Sequence, residues 1–342
     1  MRRKRSRRFA GFSQMVLEKY RLLFMDFEQT PGKGKTVAIL GVPLGYGAGK
    51  TGSELGAEAM RLFQIRGGLL IDQIRELGYI VTDCGDVEIA KPDRMAPDSE
   101  NPKYLEEMLV SCRNIAASLK EILAAGAIPV ILGGDHSIAI GSVSGIASHL
   151  RDEGEDIGLI WFDAHADINT PETSGSGNIH GMPLAVILGR GNQQLVNLEN
   201  FAPKLKTQYF AHVGARDLDA GEKSAIHELG LRDSFFTMSD IDKRGMLACV
   251  EDAIKIASQA SGGYAVTFDV DMLDPRYAPG SGTLVRGGAT YREAHLALEV
   301  IAQHGGMRSF EIVEVNPMLD QSNITVELAC ELVLSVLGKT IL

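Results

Sequence analysis

The chain has little of what marks a membrane-spanning or secreted protein. No apolar run approaches the ~20 residues that a membrane span needs. Residues Leu22-Leu23-Phe24-Met25 are too brief for a secretory signal and lack a cleavage-like flank. Only four cysteines occur in 342 residues, Cys84, Cys112, Cys249 and Cys330, and none has paired metal-type spacing. Free thiols, mostly in helices or the core, are therefore expected in a reducing, cytoplasmic setting. There is no repeat of fixed period, and after residue 36 no Pro/Gly/Ser-rich linker. This predicts one domain over 37–342, preceded by an N-terminal extension over 1–36. Positive charge is also scarce outside that extension. The net charge is −10 although Arg2, Arg3, Lys4, Arg5, Arg7 and Arg8 put six positive charges into the first eight residues. An acidic body argues against nucleic acid as the partner and fits a cationic small molecule. The basic tail reads as a flexible extension.

What is present is an alternation of β-like and helical patterns. Strands are predicted near 37–41, 79–82, 128–132, 157–162, 208–213, 234–237, 264–268 and 308–313. Helix-length segments fall at Glu58–Ile65, Tyr104–Ala124, Gly221–Leu229, Met246–Ser258, Arg292–His304 and Ile324–Leu337. Such alternation implies a mostly parallel sheet covered by helices on both faces. In sheets of this kind the ligand crevice lies outside the carboxyl ends of the strands.

Three short polar runs sit at such ends: Gly133-Gly134-Asp135-His136-Ser137, Asp163-Ala164-His165-Ala166-Asp167 and Asp269-Val270-Asp271. Each follows an apolar stretch, and carboxylates are costly to bury unless a cation or hydrogen bonds compensate them. Asp163 and His165 are two apart on an extended segment, so their side chains share a face. Asp269 and Asp271 repeat that spacing. Asp167 follows where the strand turns into a loop, and His136 arrives from another strand end. Two imidazoles and four carboxylates are more ligands than one ion uses. Hard carboxylates with a little imidazole suit Mn²⁺ better than Zn²⁺. Two divalent ions balance the four aspartates, and a bridging hydroxide leaves roughly −1, so a cation can still enter. A metal pair at ~3.5–4 Å acidifies water and places it as a nucleophile. The chemistry expected is metal-assisted hydrolysis.

These runs resemble the signatures of the ureohydrolase family, which includes arginases, agmatinases, guanidinobutyrases and formimidoylglutamases. The resemblance extends from about Val37 to the C-terminus and takes in Gly41-Val42-Pro43-Leu44 and Phe268 to Pro275. It implies a three-layer α/β/α fold with a mainly parallel eight-stranded sheet and two Mn²⁺ per subunit. By the same resemblance Asp163 and Asp269 bridge the ions, His136 and Asp167 complete one, and His165 and Asp271 the other. Within the family, Asp167-Ile168-Asn169-Thr170-Pro171 through Ser174-Gly175-Ser176-Gly177-Asn178 to His180-Gly181-Met182-Pro183 looks like the arginases. There Asn169 and Ser176 correspond to residues beside a substrate α-carboxylate, and neutral donors orient an anion without adding charge near the ions. His180 corresponds to a proton shuttle. Asp219, in Arg216-Asp217-Leu218-Asp219-Ala220-Gly221-Glu222, corresponds to a residue holding the α-amino group, and it also reads as a helix cap.

Glu314, in Glu311-Ile312-Val313-Glu314-Val315-Asn316-Pro317, corresponds to a residue pairing with a guanidinium. Thr283 corresponds to a position near the site, although Gly282-Thr283-Leu284-Val285 has leucine where arginases commonly carry proline. Tyr291-Arg292-Glu293 resembles a subunit-contact segment and also reads as a helix start. The resemblance thus implies hydrolysis of L-arginine to L-ornithine and urea by a metal-bridging hydroxide, in a homotrimer or homohexamer. Asp167 steers the hydroxide, and Asp167 or His180 protonates the leaving amine. Action on agmatine or another guanidino acid is the nearest alternative. A non-catalytic sensor or scaffold using the basic tail is the alternative from another class, and metal stoichiometry separates it.

Overall fold

The computed structural model describes residues 31–65, 67–96 and 100–341. The basic residues Arg2 to Arg8 therefore lie outside the described residues, as does most of the expected 1–36 extension. Eight strands form one sheet: β1 (Thr36–Gly41), β2 (Ile80–Asp86), β3 (Ile128–Leu132), β4 (Gly158–Phe162), β5 (Phe210–Val213), β6 (Phe235–Phe236), β7 (Tyr264–Asp269) and β8 (Met307–Val313). Their order is β2-β1-β3-β8-β7-β4-β5-β6. Every neighbouring pair is parallel. All eight correspond to expected strands, with β2 running on to Asp86.

Alternation along the strands feeds two cores. Val37, Ile39, Val130, Ile160, Val266 and Phe310 pack with helices Gly56–Leu62, Met246–Ala257, Tyr291–His304 and Ile324–Val336. Ala38, Leu40, Ile131, Leu159 and Trp161 face the other way, towards helices Leu105–Ala124, Ala139–Asp152 and Pro183–Ile187. The result is the three-layer α/β/α arrangement. Buried parallel strands lose their polar alternation, which is why each reads as a short continuous apolar run. Among the described residues no helix is long and apolar enough to cross a membrane. The four cysteines are free, three buried and Cys84 exposed on the edge strand β2.

The helix Ala139–Asp152 was not anticipated. Its glycines and serines are weak helix formers, so propensity argues against it. Packing overrides propensity here because the helix lies close against Leu105–Ala124. A Cβ on Gly145 would fall 2.6 Å from the carbonyl oxygen of Ala116, and one on Gly141 would fall 2.9 Å from that of Cys112. Small residues permit an approach that larger ones forbid. A second departure concerns the helix expected over 58–65. It ends at Leu62, because Gln64–Ile65 pairs antiparallel with Gly68–Leu69.

The strand order is what positions the polar runs. The Gly133–Ser137 run follows β3, Asp163–Asp167 follows β4, Asp269 ends β7, and Glu314 follows β8. These four strands are consecutive at the centre of the sheet, in the order β3-β8-β7-β4.

Exposed helical glycine normally gains about 1 kcal/mol of stability on replacement by alanine. Gly145→Ala should do the reverse, destabilising by about 1–3 kcal/mol through overpacking. A lowered midpoint in urea unfolding checks this, and a raised one would contradict the close contact.

Candidate metal centre

Local turns bring the ligand side chains inward. Gly134 passes so close to Leu44 that a Cβ there would fall 1.8 Å from the Leu44 carbonyl oxygen. Asp135 then donates its N–H to that same oxygen at 2.7 Å and caps the turn His136–Ile138, accepting from the Ser137 N–H at 3.0 Å. In the other two runs the first aspartate folds back on its own chain. Asp163 Oδ1 accepts from the His165 N–H at 2.7 Å, and Asp269 Oδ1 accepts from the Asp271 N–H at 2.7 Å. This corrects the expectation that extended spacing places each pair on one face. The strands end at Phe162 and Asp269, and side-chain turns produce the convergence.

Two ligand groups result, His136 with Asp163 and Asp167, and Asp163 with His165 and Asp271. Asp163 is common to both. His136 Nδ1 lies 3.0 Å from Asp163 Oδ2, 3.1 Å from Asp167 Oδ2 and 3.4 Å from Asp269 Oδ2. His165 Nδ1 lies 3.1 Å from Asp271 Oδ2 and 3.4 Å from Asp163 Oδ1.

Residues passed over in the sequence hold these ligands. Thr267 donates to Glu311 Oε1 at 2.9 Å, so its oxygen is left to accept from His136 Nε2, 3.0 Å away. That contact fixes the ring so that buried Nδ1 is the nitrogen turned towards the carboxylates. Trp161 stacks on the His136 ring at 4.1 Å and donates Nε1–H to Asp163 Oδ2 at 3.0 Å. Buried His212 lies 2.6 Å from the His165 carbonyl oxygen. Arg216 donates to the carbonyls of Asp271, Met272, Leu273 and Val285.

The electrostatics favour a bound cation. Burial, reinforced by the charge of Asp163, pushes the Asp167 carboxyl up to about 7. Burial and the charges of Asp271 and Asp163 raise Asp269 well above the usual carboxylate range, and Asp271 is raised for similar reasons. Asp163 is the exception, held well below that range because His136 and His165 outweigh its burial. An imidazole nitrogen facing three carboxylate oxygens, a ligand set that a cation can take over from the proton, fits divalent metal ions.

A cleft of about 200 Å³ opens over the cluster, with His165, Asp167 and Asp269 in its wall. Asn169, His180, Asp219 and Thr283 also line it. Asn169 Nδ2 donates to Asp219 Oδ2 at 2.7 Å, while Asp219 Oδ1 accepts from the Glu222 N–H at 2.8 Å. Asp219 is thus a helix cap and part of the cleft wall at once. Asp217 and Glu222 line the cleft as well and were not anticipated. The signal for Glu222 was its place three residues after the cap, where it closes a capping box. Thr283 Oγ1 donates to Asp271 Oδ2 at 2.9 Å. Ser176 stands apart, exposed and outside the cleft lining, with its Oγ accepting from the Asn178 N–H at 3.2 Å.

Glu314 is buried beneath the cleft. Its Oε1 accepts from the His136 N–H at 3.0 Å and lies 3.3 Å from His180 Nδ1. Burial favours the neutral His180 ring, but Glu314, with Asp135 and Asp167 behind it, raises the group to about 9. Asp167 and Glu314 have φ of 52° and 61°, the left-handed region that non-glycine residues avoid. Strain of this kind concentrates where side chains must point in one direction.

Comparison with known proteins places this geometry. The profile of the Arginase family matches residues 35–338. The arginase of Bacillus subtilis (strain 168) is 43% identical over 308 residues, covering 90% of this chain and 99% of that protein. The native Bacillus caldovelox arginase structure at pH 5.6 superposes with a TM-score of 0.83 at 39% identity, covering 90% of this chain and all of that one. Entamoeba histolytica arginase in complex with L-ornithine gives a TM-score of 0.79 at 27% identity, covering 90% of this chain and all of that one.

Metal removal should expose the carboxylate crowding. Carboxyls raised in the folded state weaken the metal-free fold as pH climbs from about 4, their unfolded value. That loss is complete only above the folded pKa, about 7 for Asp167. Calorimetry should show the Tm gap between metal-loaded and chelated protein widening from about pH 5.5 to about pH 8. A gap that does not change with pH would argue against a cation in this cluster.

Proposed function

Because the chain belongs to the arginase family, we propose that it hydrolyses the guanidinium C–N bond of L-arginine, giving L-ornithine and urea. The carrying observation is the pairing of two ligand groups joined by Asp163 with a cleft wall built from Asn169, Asp219 and Glu222. The acidic residues suit a substrate α-amino group, and the neutral amide suits its carboxylate. The similarity to arginases from bacteria and from Entamoeba histolytica supports the same substrate. Action on agmatine is disfavoured, since agmatine has no carboxylate for such a wall.

His136 and Asp167 would hold one ion, His165 and Asp271 the other, with Asp163 and Asp269 between them. Mn²⁺ is the metal that this ligand mix suits, and when bound it would supply an acidified water as nucleophile. Asp167, fixed in its left-handed turn, steers the attacking oxygen and carries a proton towards the leaving amine. Glu314 orients the planar guanidinium, using the carboxylate that also anchors the His136 N–H. His180, whose ring lies 3.3 Å from the Glu314 carboxylate, delivers a proton as the C–N bond breaks. Thr283 holds Asp271 in position at the cleft edge. Ser176 would reach the substrate carboxylate by movement of its exposed loop. The working enzyme is a homotrimer or homohexamer, as the family resemblance implies, and its free cysteines suit a reducing, cytoplasmic setting.

Turnover of arginine and agmatine by Mn²⁺-loaded protein is the direct test. We expect kcat/KM for arginine to exceed that for agmatine by roughly 10²-fold or more. A preference for agmatine would overturn the substrate assignment, and two bound ions without turnover of either would favour a non-catalytic role. Asp163→Asn should lose metal and activity together, measured by metal analysis and urea release. His180→Ala should keep its metal and lose about 10²-fold or more in kcat. Unchanged turnover by His180→Ala across pH would dismiss the shuttle.

A further inference from the structure

The glycine-rich loop Gly45-Tyr46-Gly47-Ala48-Gly49-Lys50-Thr51-Gly52 bonds several of the segments beside the cleft. The Gly47 carbonyl accepts from the His180 N–H at 3.2 Å, and the Ala48 N–H donates to Asp135 Oδ2 at 3.1 Å. The Thr51 carbonyl accepts from Asn316 Nδ2 at 3.0 Å, two residues beyond Glu314. Close packing enforces these contacts. A Cβ on Gly47 would fall 2.4 Å from Ser137 Oγ, and one on Gly52, at φ 121°, 2.2 Å from Asn316 Oδ1. The loop's backbone therefore holds the His180 wall of the cleft and the turns that carry Asp135 and Asn316.

One of the loop's side chains reaches a further wall, the 281–284 segment, which Thr283 and Arg216 tie down from the inside. Lys50, itself exposed, donates Nζ–H to the buried Gly282 carbonyl at 2.6 Å. Gly282 precedes Thr283, which lines the cleft and bonds Asp271. The stretch Ser281-Gly282-Thr283-Leu284 contains a glycine and no proline, so its backbone carries a high entropy cost of ordering. An outside anchor offsets that cost.

We propose that Lys50 is a positioning residue, pinning the 281–284 segment so that Thr283 closes the cleft edge over the substrate. It acts on substrate binding rather than on bond breaking. This rests on the arginine-hydrolase reading above. The sign of the effect separates positioning from charge. A lysine near a cation-binding cleft repels a cationic substrate, so a purely electrostatic role would make its removal lower KM. Loss of the pin raises it.

The test is steady-state kinetics of the Mn²⁺-loaded full chain with arginine. Lys50→Met should raise KM about five- to tenfold, the equivalent of one hydrogen bond, with kcat changed less than about twofold. Thermal unfolding should shift by no more than about 2–4 °C, because one hydrogen bond is small against the stability of a fold this size. Lys50→Arg, which keeps a donor in reach, should restore KM. An unchanged or lowered KM in Lys50→Met, or no recovery in Lys50→Arg, overturns the proposal while an active parent enzyme leaves the function standing. A parent protein that leaves arginine intact overturns both.

Discussion

Crowded, buried carboxylates are the constraint on which the rest of this structure depends. Asp163, Asp167, Asp269 and Asp271 meet at the floor of one cleft, all of them buried. Left alone they would repel one another, and burial would drive three of them to take up protons. Their surroundings read as the answer to that problem. Backbone N–H groups bond Asp163, Asp269 and Asp271, and Trp161 and Thr283 add side-chain donors. What donors leave uncompensated, metal ions fit. The Glu311–Thr267–His136 chain then fixes which imidazole nitrogen faces the cluster.

Rigidity and adaptability are divided between sheet and loops. The ligand groups stand at the ends of central strands, where little can shift without disturbing both cores. The cleft walls come from the segments 167–181, 217–222 and 281–284, which lie on the connections. A change of guanidino substrate can therefore be made on the walls without touching an ion ligand. Asp167 and Glu314 sit at the junction of the two regimes, and both have left-handed backbones. Glu314 directly follows β8 and Asp167 lies five residues past the end of β4, each on a turn that an extended backbone would not provide.

Much of this was legible in the sequence, for physical reasons that differ by element. The strands were readable because a buried parallel strand is a short apolar run with a polar stop, as in Val130-Ile131-Leu132 before Gly133. The ligand runs were readable because aspartate and histidine at several strand ends have few uses other than holding a cation. The helix Ala139–Asp152 was hidden because its composition answers to a neighbouring helix that is remote from it in local sequence terms. Trp161, Thr267 and Glu311 were hidden because each looks like ordinary strand interior. Only register across β4, β7 and β8 puts them in one row. Asp219 resisted a single reading because it has two roles, one oxygen capping a helix and the other bonding Asn169.

The strand order has a consequence for how the molecule comes into being. β8 is the last strand in the chain, yet it lies between β3 and β7 in the middle of the sheet. Among the described residues it is the seam joining β2-β1-β3 to β7-β4-β5-β6. During synthesis those two halves can each begin to pair, but no strand joins them into one sheet until residues 307–313 have emerged. Contacts this distant in sequence are slow to form, since loop closure precedes any gain from them. His136 belongs to one half, and Asp163 and Asp269 to the other. Completion of the sheet beneath the candidate ligands is thus a late event, reached only once nearly the whole chain has been made.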